Sequence, residues 1–346
     1  MLWFYGDDNY SDAGGMKQGS LGFGQSSKRT RKREFLDSMD RVVPWSELVQ
    51  LITPYSRETG RRGRQPFAVE AMLRIHFMQQ WFTLSDPAME EALHDTPLLR
   101  EFAGLGGWGD RLPDESTILR FRHLLEKHKL ADQMLETVNE MLRTKGLMLR
   151  AGTVVDATLI AAPSSTKNSN GERDPEMHQS KKGKQWYFGM KAHIGVDADS
   201  GLVHTVRGTA GNVNDVVEAN ALLHGDETEA FGDAGYQGAH KRDDALEGVR
   251  WNIAMRPGKR AALDKTTPLG KLCDQLERLK ASIRSKVEHP FRVIKRQFGH
   301  MTVRYRGLKK NTAQLKTLFA LSNLWMVRKE LAALDGQIRP ATAKAA

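Results

Sequence analysis

TVVDATLI, residues 153–160, is where the chain changes character. The 3.6-residue spacing of apolar positions that precedes Gly152 gives way to a β-branched and aliphatic run with one carboxylate, Asp156, in its middle. Strands avoid Asp, and a charge set into an apolar strand needs a partner. Downstream, a polar stretch (residues 164–185) separates this run from WYFGMKAHIGVDADSGLVHTVRGTAG (186–211), which reads as two strands joined at a tight turn around Asp199, Ser200 and Gly201. NDVVEANALLH (214–224) reads as a helix, EAFGDAGYQG (229–238) as a strand running into a turn, and VRWNIAMRPGKR (249–260) as a strand ending in a basic loop. The order of three strands, helix, strand, helix, strand, helix predicts an α/β domain over residues 151–328.

Asp233 follows the strand 229–232, where an α/β sheet places functional groups, beyond the carboxyl ends of its strands. A lone Asp there is more often a turn-former or helix cap. A third carboxylate changes the balance. In IRSKVEHPFRVIKRQF (283–298), Val287, Phe291, Ile294 and Phe298 form an apolar helical stripe, while Arg284, Glu288, Arg292 and Lys295 follow the same spacing on an adjacent face. Between Lys280 and Lys310 the only carboxylate, Glu288, is surrounded by ten Lys or Arg residues. Salt links within an isolated helix would account for that row. Three acidic groups meeting at one point would instead repel unless a cation neutralised them. Mg²⁺, with Mn²⁺ as substitute, suits an all-carboxylate set, and the surrounding Arg and Lys would hold a phosphate backbone beside it. Pro290 falls inside this stretch, so either the helix kinks there or it begins near His289 with Pro290 in its first turn; the stripe running across Pro290 favours a kinked continuous helix.

The 346 residues leave ample room for a core, with 52 Lys plus Arg against 42 Asp plus Glu and a formal charge of +10. That excess favours nucleic acid over an anionic membrane, since no Lys-rich amphipathic helix presents exposed Trp or Phe. Cys273 is the single cysteine, which excludes a disulfide framework or a cysteine metal site and suits a reducing cytoplasm. No signal-peptide pattern or bilayer-length apolar run is seen. Residues 1–34 read as a basic, poorly ordered arm, 35–150 as a helical region and 329–346 as a tail. In the helical region Ser85 is expected to cap a helix with Pro87 in its first turn, and 112–130 to form a helix that turns Arg120 and Arg122 outward. This pattern is compatible with a helix-turn-helix DNA binder and equally with an ordinary bundle. Arg256 and Lys259 make a phosphate-contacting loop or a solvated turn. For Lys191 and His193, which share a strand face, structural hydrogen bonding is favoured over a role at the metals or DNA.

Asp156 in VVDATLI, Asp233 in GDAGYQG and Glu288 in RSKVEHPFRVIKRQFG resemble the acidic triad of bacterial DDE transposases. Arg284, Glu288 and Lys295 match three positions of the insertion-sequence signature Y-(2)-R-(3)-E-(6)-K, with Ala281 where the Tyr stands. DATLIAAPSSTKN, RDPEMHQSKKGKQWYFGMKAHIGVD and VEHPFRVIKRQFGHMTVRYRGLKKN are similar to the insertion-sequence-five branch. The resemblance implies a ribonuclease H-like catalytic domain, a mixed five-stranded sheet with flanking helices, preceded by an all-α region. The 55 positions from Asp233 to Glu288 leave no room for a large β insertion. It also implies a bacterial cytoplasmic, nucleoid-associated enzyme with Asp156, Asp233 and Glu288 as catalytic metal ligands for Mg²⁺. Such an enzyme binds terminal inverted repeats, frees a 3′-hydroxyl and joins it to target DNA, as a homodimer or larger assembly. Arg284, Arg292, Lys295 and Arg296, with Arg256, Lys259, Arg120 and Arg122, are the expected DNA contacts. The alternatives are a metal-dependent nuclease without joining activity and a non-catalytic DNA-binding repressor.

Overall fold

A computed structural model of the chain describes residues 29–57, 64–107, 109–149, 151–168 and 171–338. Most of the expected arm lies outside the described residues.

The helical region comprises α1 (Arg31–Val42), α2 (Trp45–Ile52), α3 (Val69–Phe82), α4 (Asp86–Asp95), α5 (Pro97–Phe102), α6 (Glu115–Lys127) and α7 (Leu130–Thr144). α1 begins inside the stretch read as an arm, because Thr30 caps it by accepting from Arg33 N. α3 is buried on almost every side, from Ala71 through Trp81, so it is the axis of the bundle. Ser85 caps α4, accepting from Ala88 N at 3.3 Å, and Asp114 caps α6 through Thr117 N at 2.7 Å. Both caps satisfy amides that the first helical turn leaves unpaired.

The sheet holds β1 (Gly152–Ala161), β2 (His178–Lys182), β3 (Gln185–Asp197), β4 (Val203–Ala210), β5 (Glu229–Gly232) and β6 (Arg250–Ile253). Its order is β2-β3-β1-β5-β6, with β4 also on β3; the β1–β3, β2–β3 and β3–β4 pairs are antiparallel, β1–β5 and β5–β6 parallel. The sheet therefore has six strands and not the five expected. HQSKK, inside the polar stretch 164–185, forms the extra one as a short edge strand beside Gln185–Gly189. A polar edge strand carries no apolar alternation to reveal it. Gly201, at φ +74°, makes the turn between β3 and β4, where Asp197 Oδ2 accepts from Ser200 N at 2.9 Å.

Of the helix expected over 214–224 only Asp215–Glu218 (α8) is α-helical, and Asn220–Leu222 tightens to a 3-10 turn. α9 (Pro257–Ala261), α10 (Pro268–Arg284), α11 (Glu288–Arg292), α12 (Leu308–Met326) and α13 (Arg328–Ile338) follow, α13 where a tail was expected. α12 packs on α7 and β4, and one apolar core runs from Leu36 and Leu73 through Met190 and Ile194 to Phe319 and Leu324. Gly208 allows the approach of α12, since a Cβ there would meet Thr312 Oγ1 at 2.1 Å. Buried Asn323 serves the free edge of β4 as a strand would: its amide takes Val203 N at 2.8 Å and gives to Val203 O at 2.7 Å and Asn139 Oδ1 at 2.9 Å. Each of these groups would otherwise be buried without a partner.

Candidate active site

Parallel register puts Val154 beside Phe231, so two residues further along Asp156 and Asp233 come abreast at the carboxyl end of β5. Sheet alternation gives Asp156 the face of Val154, Thr158 and Ile160, the side of the large core, whereas Val155 belongs to a second, smaller core behind. Asp156 Oδ1 accepts from its neighbour's amide, Ala157 N, at 2.7 Å. Asp233 caps the 3-10 turn Ala234–Tyr236 through Gly235 N, also at 2.7 Å. Burial is the largest influence on the Asp156 carboxyl and, with the negative charge of Asp233, raises it to about 6, while the Ala157 amide and the cation of Arg284 act against the rise.

The third carboxylate arrives on a helical path with two irregularities. α10 tightens to a 3-10 turn over Ser285–Val287, resumes as α11 and widens to a π-helix over Val293–Gln297. The backbone stays in the right-handed helical region from Arg284 to Val293, so the segment runs continuously through Pro290. Proline offers no N–H to the preceding turn, and the tighter turn before it avoids the clash of its ring. Val287, Phe291, Ile294 and Phe298 are all buried, as the stripe predicted.

Two lysines fasten this segment along β1. Lys286 Nζ donates to Ala198 O at 2.6 Å and Asp199 O at 3.0 Å, beside the start of β1, where Ala198 N bonds Gly152 O. Lys295 Nζ donates to Thr158 Oγ1 at 2.6 Å and Leu159 O at 2.9 Å. Asp156 lies between these tethers on β1, and Glu288 and Arg292 lie between them on the helix, both exposed. Lys295, expected on phosphate, is thus half-buried and holds the helix to the strand. Arg284 is half-buried and close enough to act on Asp156.

The remaining candidates divide. Arg296, Arg256, Lys259 and Arg120 are exposed, and Arg120 lines an open groove of about 850 Å³ with Arg57, Arg64 and Arg111. Arg122 turns inward, contrary to the outward position expected. It is 8% exposed, pairs with Asp86 at 2.8 Å and Glu126 at 3.0 Å, and its guanidinium lies 4.3 Å from the Tyr305 ring centroid. Helical spacing alone does not separate the inner edge of a helix from its outer face. Lys191 Nζ donates to Asp215 Oδ1 at 2.8 Å and Val213 O at 2.7 Å, and fully buried His193 bonds Thr209 Oγ1 at 2.7 Å, so both are held structurally.

Tyr236 escaped the sequence reading. It is 1% exposed, its hydroxyl has no hydrogen-bond partner, and it lies in the field of Asp156, Asp215, Asp233 and Arg284. Burial, the largest cause, and those carboxylates push its pKa well above the usual value. Its only signal is its place three residues after Asp233, and a tyrosine in a turn otherwise reads as packing. His204, His224 and Glu227 also bring ligand atoms within 4.8 Å of one another. That cluster is joined to Thr153, on the opposite face of β1 from Asp156, and Glu227 already accepts from His224 N, Gly225 N and Thr153 Oγ1. It is separate from the aspartate pair.

Two carboxylates at the ends of adjacent strands, one raised in pKa by burial and by the other's charge, form a site that a divalent cation would relieve. Exposed cations along the neighbouring helix would favour a polyanion there. No helix among the described residues is long and apolar enough to cross a membrane. Residues 148–324 match the family model described as Transposase DDE domain, and residues 25–124 match the one described as Transposase domain (DUF772).

Proposed function

Because the chain belongs to the DDE transposases, nucleic-acid-cleaving enzymes whose catalytic domain is ribonuclease H-like and uses divalent metal, we propose that Asp156, Asp233 and Glu288 are its metal ligands. The observation that carries this reading is the parallel register that sets Asp156 abreast of Asp233 at the carboxyl end of β5, two residues beyond the Val154–Phe231 pair. A protein gains nothing in stability from such an arrangement, and a bound Mg²⁺ or Mn²⁺ would remove its cost. Glu288, exposed between the two lysine tethers, is the remaining carboxylate on the adjacent helix.

The cation would supply Lewis-acid activation of phosphate and of the attacking oxygen. The protein's own groups position the DNA. Arg284, whose charge acts on Asp156, would contact the phosphate next to the scissile bond, and Arg292 and Arg296 continue the cationic row along the exposed side of the helix. Arg256 and Lys259 extend that surface at α9. The Arg57, Arg64, Arg111 and Arg120 groove, on the helical region, is suited to the terminal inverted repeat. The substrates are the ends of an insertion sequence of the insertion-sequence-five branch and its target DNA, brought together by at least two copies of the chain.

The deciding experiment is strand cleavage and joining by the purified protein on a labelled terminal repeat with Mg²⁺ or Mn²⁺. Joined product from wild type and none from Asp156→Ala is the expected result. Identical products from both proteins would sink the triad, and cleavage without joining would favour a nuclease.

A further inference from the structure

α10 is built inside out. Its acidic side chains Asp274 and Glu277 are turned inward, each 5% exposed, while Leu269, Leu272, Leu276 and Leu279 point to solvent at 71%, 62%, 50% and 63% exposure. The inward carboxylates are fully occupied. Asp274 pairs with Arg260, Lys265 and Arg278, and Glu277 accepts from Met255 N at 2.8 Å and Lys280 Nζ at 2.9 Å. The usual amphipathic helix of a globular protein has the reverse polarity. Among the described residues nothing covers these leucines.

Their spacing identifies the cover. Positions 269, 272, 276, 279 and 283 alternate steps of three and four, the seam of a two-stranded coiled coil, with Ile283 completing the series half-buried. A flat apolar patch fits many partners, but a regular seam of leucine knobs fits a helix with the same repeat. α10 of a second copy has it by construction. We propose that α10 pairs with α10 of another copy about a two-fold axis, forming the dimer interface of this protein.

Area and charge agree with that occupant. Leucines this exposed carry on the order of 100 Å² of apolar surface each, so two copies would hide roughly 800 Å² there, and flanking side chains bring the total toward the about 1,200 Å² of a specific interface. The positions flanking the seam are Cys273, Gln275, Lys280 and Ser282. Lys280, the one charge among them, is already paired with Glu277 of its own chain, so like charges do not oppose self-pairing. α10 also runs without interruption into the segment holding Arg284 and Glu288, so a seam between two α10 helices fixes the distance between two candidate sites. This deepens the reading of paired DNA ends and rests on it only for its biological purpose, since pairing itself needs neither DNA nor metal.

The test is sedimentation velocity on the full chain without DNA or divalent ion, with wild type and Leu272→Glu/Leu276→Glu. Wild type is expected to dimerise, and the double variant to weaken dimerisation roughly a hundredfold or more with an unchanged far-UV circular dichroism spectrum. In a Cys273→Ser background, Leu276→Cys should form an inter-chain disulfide under mild oxidation, because in a parallel pair each seam residue lies beside its own counterpart across the two-fold. A wild type that stays monomeric as concentration is raised overturns the proposal. So does a dimer that survives the double glutamate variant, which would place the interface elsewhere. Loss of strand joining with dimerisation intact would count against the catalytic reading and leave the seam standing.

Discussion

Asp156 and Asp233 stand abreast on neighbouring parallel strands, two residues beyond the Val154–Phe231 pair, and the charge of Asp233 adds to burial in holding the Asp156 carboxyl at about 6. The stability consequence has a definite sign. Between the ordinary value of 3.8 and about 6 the folded chain binds a proton that the unfolded chain has lost, so stability falls as pH rises through that window and stays lowered above it. Asp156→Asn keeps an acceptor for Ala157 N and removes the charge. The variant should be more stable than wild type at pH 7 by about 1–3 kcal/mol, with the gap closing below about pH 4. Urea unfolding across pH without divalent ions measures it. A variant less stable than wild type at pH 7 would contradict this account of the aspartate pair.

Cation binding should show the same group from the other side. A metal ligand must be deprotonated, so binding competes with the Asp156 proton. The rise in melting temperature produced by Mn²⁺ should grow from pH 5 to pH 7 and then level off. It should vanish in Asp156→Asn/Asp233→Asn. An Mn²⁺ effect that is independent of pH, or that persists in the double variant, would place the ion elsewhere, with the His204, His224 and Glu227 cluster the next position to mutate.

Arg122 and Arg120, two residues apart on α6, should behave as opposites. Arg122→Ala removes the charge partner of both half-buried carboxylates, Asp86 and Glu126, and the cation over Tyr305. Losses of about 3–5 kcal/mol are usual for such a break. Arg120→Ala should leave stability within about 0.5 kcal/mol, as for other exposed positions, and weaken binding to terminal-repeat DNA. Denaturation and fluorescence-anisotropy titrations on both variants separate the roles. Normal stability with weakened DNA binding in Arg122→Ala would restore it as a surface contact.

Much of this architecture was legible because it rests on periodicity. The change of spacing at Gly152 marked the sheet, and the Val287, Phe291, Ile294, Phe298 stripe marked a helix running through Pro290. What escaped depends on tertiary partners. β2 is a polar edge strand recognisable only beside β3, and α13 is secured in part by the buried Leu331. Arg122 and Lys295 look like surface cations until Asp86 and Thr158 are brought to them from distant parts of the chain. The leucines of α10 were equally visible as letters, but their exposure appears only when Asp274 and Glu277 are seen to take the inner face.

The 3-10 turn that precedes Glu288 and Pro290 changes the direction in which Glu288 leaves the helix, and replacing the proline should separate fold from chemistry. A 3-10 turn advances each residue by about 120° against about 100° in an α-helix, so the three residues Ser285–Val287 turn the chain roughly 60° further than regular helix would. Pro290→Ala supplies the missing N–H and removes the ring, allowing the α-helix of α10 to continue through Glu288. Burial of Val287, Phe291 and Ile294 opposes any rotation of the segment as a whole. The strain of regular helix would therefore fall on the exposed side, where Glu288 and Arg292 stand. Stability should change by less than about 1 kcal/mol, because a gained hydrogen bond offsets the lost packing of a small buried ring. Mn²⁺ affinity and strand cleavage should fall by about tenfold or more, as expected when a ligand is displaced by an ångström or so. Titration of Mn²⁺ by thermal shift, set beside urea unfolding of the same variant, reads both quantities. Wild-type cation affinity in a stably folded Pro290→Ala would mean that the bend does not aim Glu288, whereas a loss of several kcal/mol would show that the proline serves the core.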